Sequence, residues 1–135
     1  MSARTDGLYI FEWLTQKEIA YFIMMSETIA FGEGDTIMLE GDKSDDRAYL
    51  IESGSVDIYR QWEKLTTLHA GDIFGEMALI TNEPRSAKVV SNCPTEVLAF
   101  NREEFLMLYK QSDLYEEIKK KILLRVKENF YSDKK

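Results

Sequence analysis

From Ser26 to Phe100 the chain is cut repeatedly by glycine-and-acid corners: GEGD at 32–35, EGDKSDD at 40–46, ESGS at 52–55 and AGD at 70–72. Glycine supplies the positive φ that tight corners need, and Asp and Ser side chains bond their own backbone there. Between the corners lie short runs with a period of two, at 27–31, 36–39, 47–52, 55–60, 65–69, 87–91 and 95–100. Runs this short leave no room for a long helix. Strands with a turn every 8–12 residues or so point to a sandwich, jelly roll or barrel.

Both flanks have a different period. Leu14, Ile19, Phe22 and Ile23 fall at helical spacing, and Thr15 with Glu18 has the form of a capping box. After Phe100, Asn101 is placed to cap REEFLMLYK, and Ser112 or Asp113 to cap the run from Leu114. In that last run Leu114, Ile118, Ile122 and Val126 stand four apart and form one apolar stripe, opposite Glu117, Lys120, Lys121 and Glu128. The expected plan is a single, mainly β domain with flanking helices over residues 1–135. It has an N-terminal helix (12–26), a β-roll or jelly roll (27–100) and two C-terminal helices (101–130).

Composition narrows the chemistry. A net charge of −7 and a pI near 4.8 disfavour a nucleic-acid partner, whose phosphates the overall field repels. Cys93 has no second cysteine to bridge to, which favours a reducing compartment, and no apolar run is long enough to span a bilayer. A cytoplasmic protein without membrane contact is expected. His69 is the only histidine, so the several-histidine metal centre of a cupin enzyme is not expected, and Cys93 lacks the partners of a nucleophile. Nothing in the chain after its last helix suggests a helix-turn-helix.

One segment breaks the strand pattern. FGEMALITNEPRSAKVV, residues 74–90, reads as a glycine, a short helical turn, a loop and then a strand. Gly75 lets backbone approach a ligand, and the first amides of a helical turn attract an anion. Arg85 offers a donor fork that matches phosphate, Pro84 stiffens its approach, Ser86 adds a hydroxyl, and Ala78 and Ala87 leave room. Taken alone, Arg85 would be read as a surface salt-bridge residue; its setting argues otherwise. Glu76 would repel a bare anion. It fits a ligand that carries a hydroxyl near its phosphate, as a nucleotide sugar does.

GEMALI, a short loop and PRSA resemble the phosphate-binding cassette of the cyclic nucleotide-binding domain family, and GEGD, EGD and ESGSVDIY resemble that family's β-roll corners. The resemblance covers roughly residues 12–130. It implies that Glu76 binds the ribose 2′-hydroxyl and that Arg85 pairs with the cyclic phosphate. It further implies that amides of Met77, Ala78 and Ala87 reach the phosphate, that Gly75 shapes the cassette, and that Ser86 touches phosphate or base. By the same resemblance Asp46 orients the arginine, Ile73 and Leu79 line or support the pocket, and Arg125, Asn129 or Phe130 caps the base. Departures from the family pattern are Lys88, Ala48 and the short 60–64 corner.

The expected function is therefore a non-catalytic sensor of a cyclic nucleotide, cAMP favoured over cGMP, with no metal or other cofactor. Its signal would pass through residues 101–130, and a second copy or a partner protein would meet the last helix. The alternative is a structural or interaction domain that keeps the roll without the ligand. A cupin-like enzyme or a haem- or gas-sensing relative fits the residues less well.

Overall fold

The structure is a computed structural model that describes residues 14–43, 45–109 and 115–126. Residues 12 and 13, the caps Ser112 and Asp113, Leu114, Asn129 and Phe130 fall outside that range, as do the side chains of Arg125 and Val126.

Helix α1 spans Gln16–Met25, shorter than the expected 12–26, and starts at the expected capping box. Thr15 Oγ accepts from the Glu18 amide at 3.1 Å, and Glu18 Oε1 accepts from the Thr15 amide at 2.8 Å. Of its apolar stripe, Phe22 is buried and Leu14 and Ile19 pack beside it, whereas Ile23 is exposed. Eight strands follow: β1 Glu27–Phe31, β2 Thr36–Met38, β3 Arg47–Ser53, β4 Ser55–Arg60, β5 Glu63–His69, β6 Ile73–Phe74, β7 Lys88–Ser91 and β8 Thr95–Asn101. They form two antiparallel sheets, ordered β1-β8-β3-β6 and β2-β7-β4-β5. Helices α2 (Arg102–Tyr109) and α3 (Tyr115–Val126) close the described chain.

Two cores result from the strand period. Tyr49, Ile51, Val97 and Ala99 face Val56, Ile58 and Val89 of the other sheet. Ala48 and Phe100 point the other way and meet Phe22, Phe105, Tyr109, Ile118 and Ile122 from the helices. The first sheet is thus covered on both faces, which is why RAYLIES and TEVLAFN read as nearly continuous apolar runs. Ile118 and Ile122 are fully buried, so these two members of the stripe on α3 pack in the core against the chain's own roll. Asn101 caps α2 with the reciprocal bonds of a capping box, its Oδ1 accepting from the Glu104 amide at 2.8 Å.

The corners also match, with one surprise. The 60–64 corner is a two-residue hairpin whose central residues, Gln61 (φ 53°) and Trp62 (φ 72°), both lie in the left-handed region. That backbone matches the twist of the flanking strands but normally selects Asn or Gly. Glu40 Oε1 accepts from the Gln61 amide at 2.8 Å, and the Lys88 ammonium sits 5.8 Å from the Trp62 ring centroid. Strand β6, two residues long, was not expected.

Candidate nucleotide-binding site

Gly75, at φ +75°, turns the chain out of β6 into a 3₁₀ turn at Glu76–Leu79. A Cβ there would stand 2.9 Å from Met38 Cε, 3.1 Å from Arg85 Nη1 and 3.3 Å from the Arg47 carbonyl, so both conformation and space require glycine. The far side of the cassette is held by a pair of backbone bonds: the Arg85 amide donates to Asp42 O and the Gly41 amide to Arg85 O, each at 2.8 Å. The corner at 40–46 thereby fixes where the arginine leaves the chain.

The Arg85 guanidinium is largely buried and points back to Gly75. Nη1 donates to Gly75 O at 3.3 Å, and Nη2 to Arg47 O at 2.9 Å and to Asp45 Oδ1 at 2.5 Å. Glu76 is 1% exposed, a buried carboxylate on the same cleft. The seven expected contact residues, Gly75, Glu76, Met77, Ala78, Arg85, Ser86 and Ala87, all line one cleft of about 170 Å³ that opens to solvent. Met38, Arg60, Glu83 and Pro84 complete its wall. Of these, Arg60 and Met38 were not anticipated, because only the pairing of β4 and β2 with β7 brings them there.

Two expectations need correction, those for Asp46 and for the Ala78 amide. The acid that pairs with Arg85 is Asp45; its neighbour Asp46 instead pairs with Arg102 at 3.2 Å. The left-handed backbone of Asp46 (φ 66°) separates the two carboxylates, so adjacent residues serve different arginines. Of the two roles expected of Ile73 and Leu79, lining or supporting the pocket, their positions fit the second: both lie in the helix-side core, beneath the cassette, and neither lines the cleft. The Ala78 amide, expected at the phosphate, closes the 3₁₀ turn onto Gly75 O at 3.1 Å.

Arg102 links this site to the helices. From the first turn of α2 it donates to Ala78 O through Nε (3.1 Å) and Nη2 (2.9 Å), and also to Thr81 O. Its backbone amide donates to Asp46 O at 2.9 Å. The cassette carbonyls are therefore tied directly to the start of α2. Nearby, burial raises the Tyr49 hydroxyl above its ordinary pKa, an effect the Asp45 carboxylate reinforces. Among the described residues no group of His, Cys, Asp and Glu is placed to hold a metal, and no helix is long and apolar enough to cross a membrane.

Comparison with known proteins agrees with this geometry. The family model described as a cyclic nucleotide-binding domain matches residues 28–112. A cGMP-dependent protein kinase of Plasmodium berghei (strain Anka) is 43% identical over 84 residues, which cover 62% of this chain and 10% of that protein. A cAMP-dependent protein kinase regulatory subunit of Hypocrea atroviridis is 35% identical over 82 residues, covering 61% of this chain and 18% of that one. The crystal structure of the Thermus thermophilus catabolite activator protein superposes with a TM-score of 0.76 at 30% identity, covering 86% of this chain and 56% of the other. The chain thus spans only a small part of the two kinase-related proteins and about half of the bacterial one. Sheet order, cassette and family match agree: the chain belongs to the cyclic nucleotide-binding domain family.

Proposed function

We propose that this domain binds a 3′,5′-cyclic purine nucleotide without transforming it and acts as the sensing piece of a regulated protein. One observation carries the reading: a buried guanidinium and a buried carboxylate, Arg85 and Glu76, share one cleft. Opposite buried charges suit a ligand that is an anion at one end and a hydroxyl donor beside it. The cyclic phosphate would take Arg85, with Met77, Ala78, Ser86 and Ala87 around it, and the ribose 2′-hydroxyl would take Glu76. Asp45 would yield part of its hold on Arg85 to the incoming phosphate. The Arg102 bonds would then carry the cassette's displacement into α2, and the ligand shifts the helices only insofar as it prefers one arrangement of them.

Both cyclic purines fit this scheme. The sequence expectation was cAMP, while similar proteins are named both as cGMP-dependent kinases and as cAMP-dependent regulatory subunits. Arg125, Asn129 and Phe130 remain candidates to cap the base. A second copy or a partner would meet α3 at Leu123 and Leu124, which are exposed, since Ile118 and Ile122 are committed to the core. A cytoplasmic setting accords with the free thiol of Cys93.

A second reading, an interaction domain that binds no ligand, draws on Arg85 already having Asp45 and two carbonyls as acceptors. Calorimetric titration of nucleotide-free protein with cAMP and cGMP, with 5′-AMP as control, separates the two. Micromolar or tighter binding of a cyclic nucleotide with much weaker 5′-AMP is expected. No heat and no thermal shift with either would leave the interaction domain.

A further inference from the structure

We propose that Arg60 reads the base and makes the cleft prefer a 6-oxopurine, guanine, over adenine; the proposal rests on the cyclic-nucleotide reading above. Strand β4 alternates, and Val56 and Ile58, 0% and 1% exposed, face the core between the sheets. Arg60, two residues further on, shares their face by the period of the strand. A guanidinium thus stands where the pattern would continue with an apolar side chain, and it lines the cleft with Glu76 and Arg85.

Its place relative to the cassette follows from register. Ile58 lies opposite Val89 and Tyr59 opposite Lys88, the first residue of β7, so Arg60 comes just past the last paired position and lines the same cleft as Ser86 and Ala87. The hairpin at Gln61–Trp62 begins at once and ties back to Glu40, which fixes the end of β4 at the cleft mouth. The two guanidinium groups are held differently: Arg85 leaves the loop before β7 and its head is anchored at Gly75, beside β6, whereas Arg60 sits at the end of β4. A nucleotide whose phosphate lies at Arg85 and whose sugar lies at Glu76 must lay its base along the remaining wall, where Arg60 and Ser86 stand. A guanidinium presents parallel donors. Guanine offers O6 and N7 as adjacent acceptors, whereas adenine sets an amino donor beside N7 and confronts the arginine donor to donor.

The test is calorimetric titration with three ligands that share ribose and cyclic phosphate: cGMP, cAMP and 3′,5′-cyclic IMP. Cyclic IMP carries O6 and N7 but lacks the guanine 2-amino group. Wild-type protein is expected to bind cGMP and cyclic IMP about tenfold or more tighter than cAMP. Arg60→Ala should abolish that preference, costing cGMP and cyclic IMP about tenfold more affinity than it costs cAMP. Arg60→Gln should shift preference towards cAMP, since an amide pairs with adenine N6 and N7. Arg60 is half-exposed, and thermal unfolding of both variants would verify that they fold. An equal loss for all three ligands would mean that Arg60 serves the phosphate, and an unchanged ratio that it does not reach the base; either overturns the proposal. Wild-type protein that binds none of the three would instead overturn the cyclic-nucleotide reading itself.

Discussion

Asp45 and Arg85 meet at 2.5 Å across an unequal pair, the arginine side chain 7% exposed and the aspartate 54%. The carboxylate closes a buried cation from the solvent side, in the place where a ligand phosphate would arrive. Asp45→Asn should therefore destabilise the ligand-free protein by about 1 kcal/mol, a modest figure because two carbonyls still hold the guanidinium and the acid is exposed. Saturating cyclic nucleotide should narrow the gap between variant and wild type in thermal unfolding. A gap that is unchanged or widened by ligand would show that phosphate does not replace this carboxylate.

Arg85→Ala removes the cation itself. Truncating one partner of a buried charge pair costs binding about 2–4 kcal/mol. Titration of the variant should show at least a tenfold loss for every cyclic nucleotide, whatever its base; a smaller loss would place the phosphate elsewhere.

Gly75 and Gly54 make a contrasting pair. Alanine at either must adopt a positive φ, at a cost of about 1–2 kcal/mol, before any clash. At Gly54 the new Cβ would also meet Thr95 Oγ1 and, at 2.5 Å, the Pro94 carbonyl, far from the cleft. At Gly75 it would press on Met38 and Arg85. Both variants should lose thermal stability. Under conditions where each remains folded, only Gly75→Ala should weaken nucleotide binding, and comparable binding losses in both would contradict the assigned role of Gly75.

Arg102→Ala should free the cassette from α2. Three bonds to carbonyls and an ion pair to Asp46 are lost, at a cost of about 2 kcal/mol given partial exposure. Hydrogen exchange of the 76–81 amides should quicken relative to β3 and β8. Equal acceleration throughout the domain would indicate plain destabilisation rather than a broken link.

Asp57 contributes to acid stability. Burial works to raise its pKa, but hydrogen bonds from Thr67 and Asn92 and the Lys64 ammonium outweigh it, and its pKa is lowered. A group with a depressed folded pKa stabilises above its unfolded value, about 3.9, and loses that contribution as pH falls through the folded one. Urea unfolding of Asp57→Asn should accordingly depend less steeply on pH below about pH 4 than wild type does. Parallel curves would show that Asp57 is not a proton-linked group.

Much of the architecture was legible in the chain because it is local. Period-two runs between glycine corners located seven of the eight strands, and a capping box at Thr15 and a cap at Asn101 marked the starts of α1 and α2. β6 escaped notice: two residues hold no period, and Ile73 and Phe74 become a strand only by pairing with Leu50 and Tyr49. The cassette was legible for the same local reason. Gly75, Glu76, Arg85, Ser86 and Ala87 lie within 13 residues of one another, and a glycine turn, a donor fork and small side chains are recognisable by type.

What only the tertiary structure decided is which distant groups meet these residues. Asp45 and Asp46 are chemically identical neighbours, and a single left-handed residue sends one to Arg85 and the other to Arg102. Ile73 and Leu79 are apolar residues beside a pocket, yet their sheet face and helical turn direct them into the core beneath it. Arg60 belongs to a short corner in the sequence, and it is the pairing of β4 with β7 that puts it on the wall of the cleft. The sequence by itself determined the elements and the cassette, because propensity, periodicity and turn chemistry act over a few residues. Partner choice across the cleft was left to the fold, because it depends on strand register and backbone handedness summed over the whole roll.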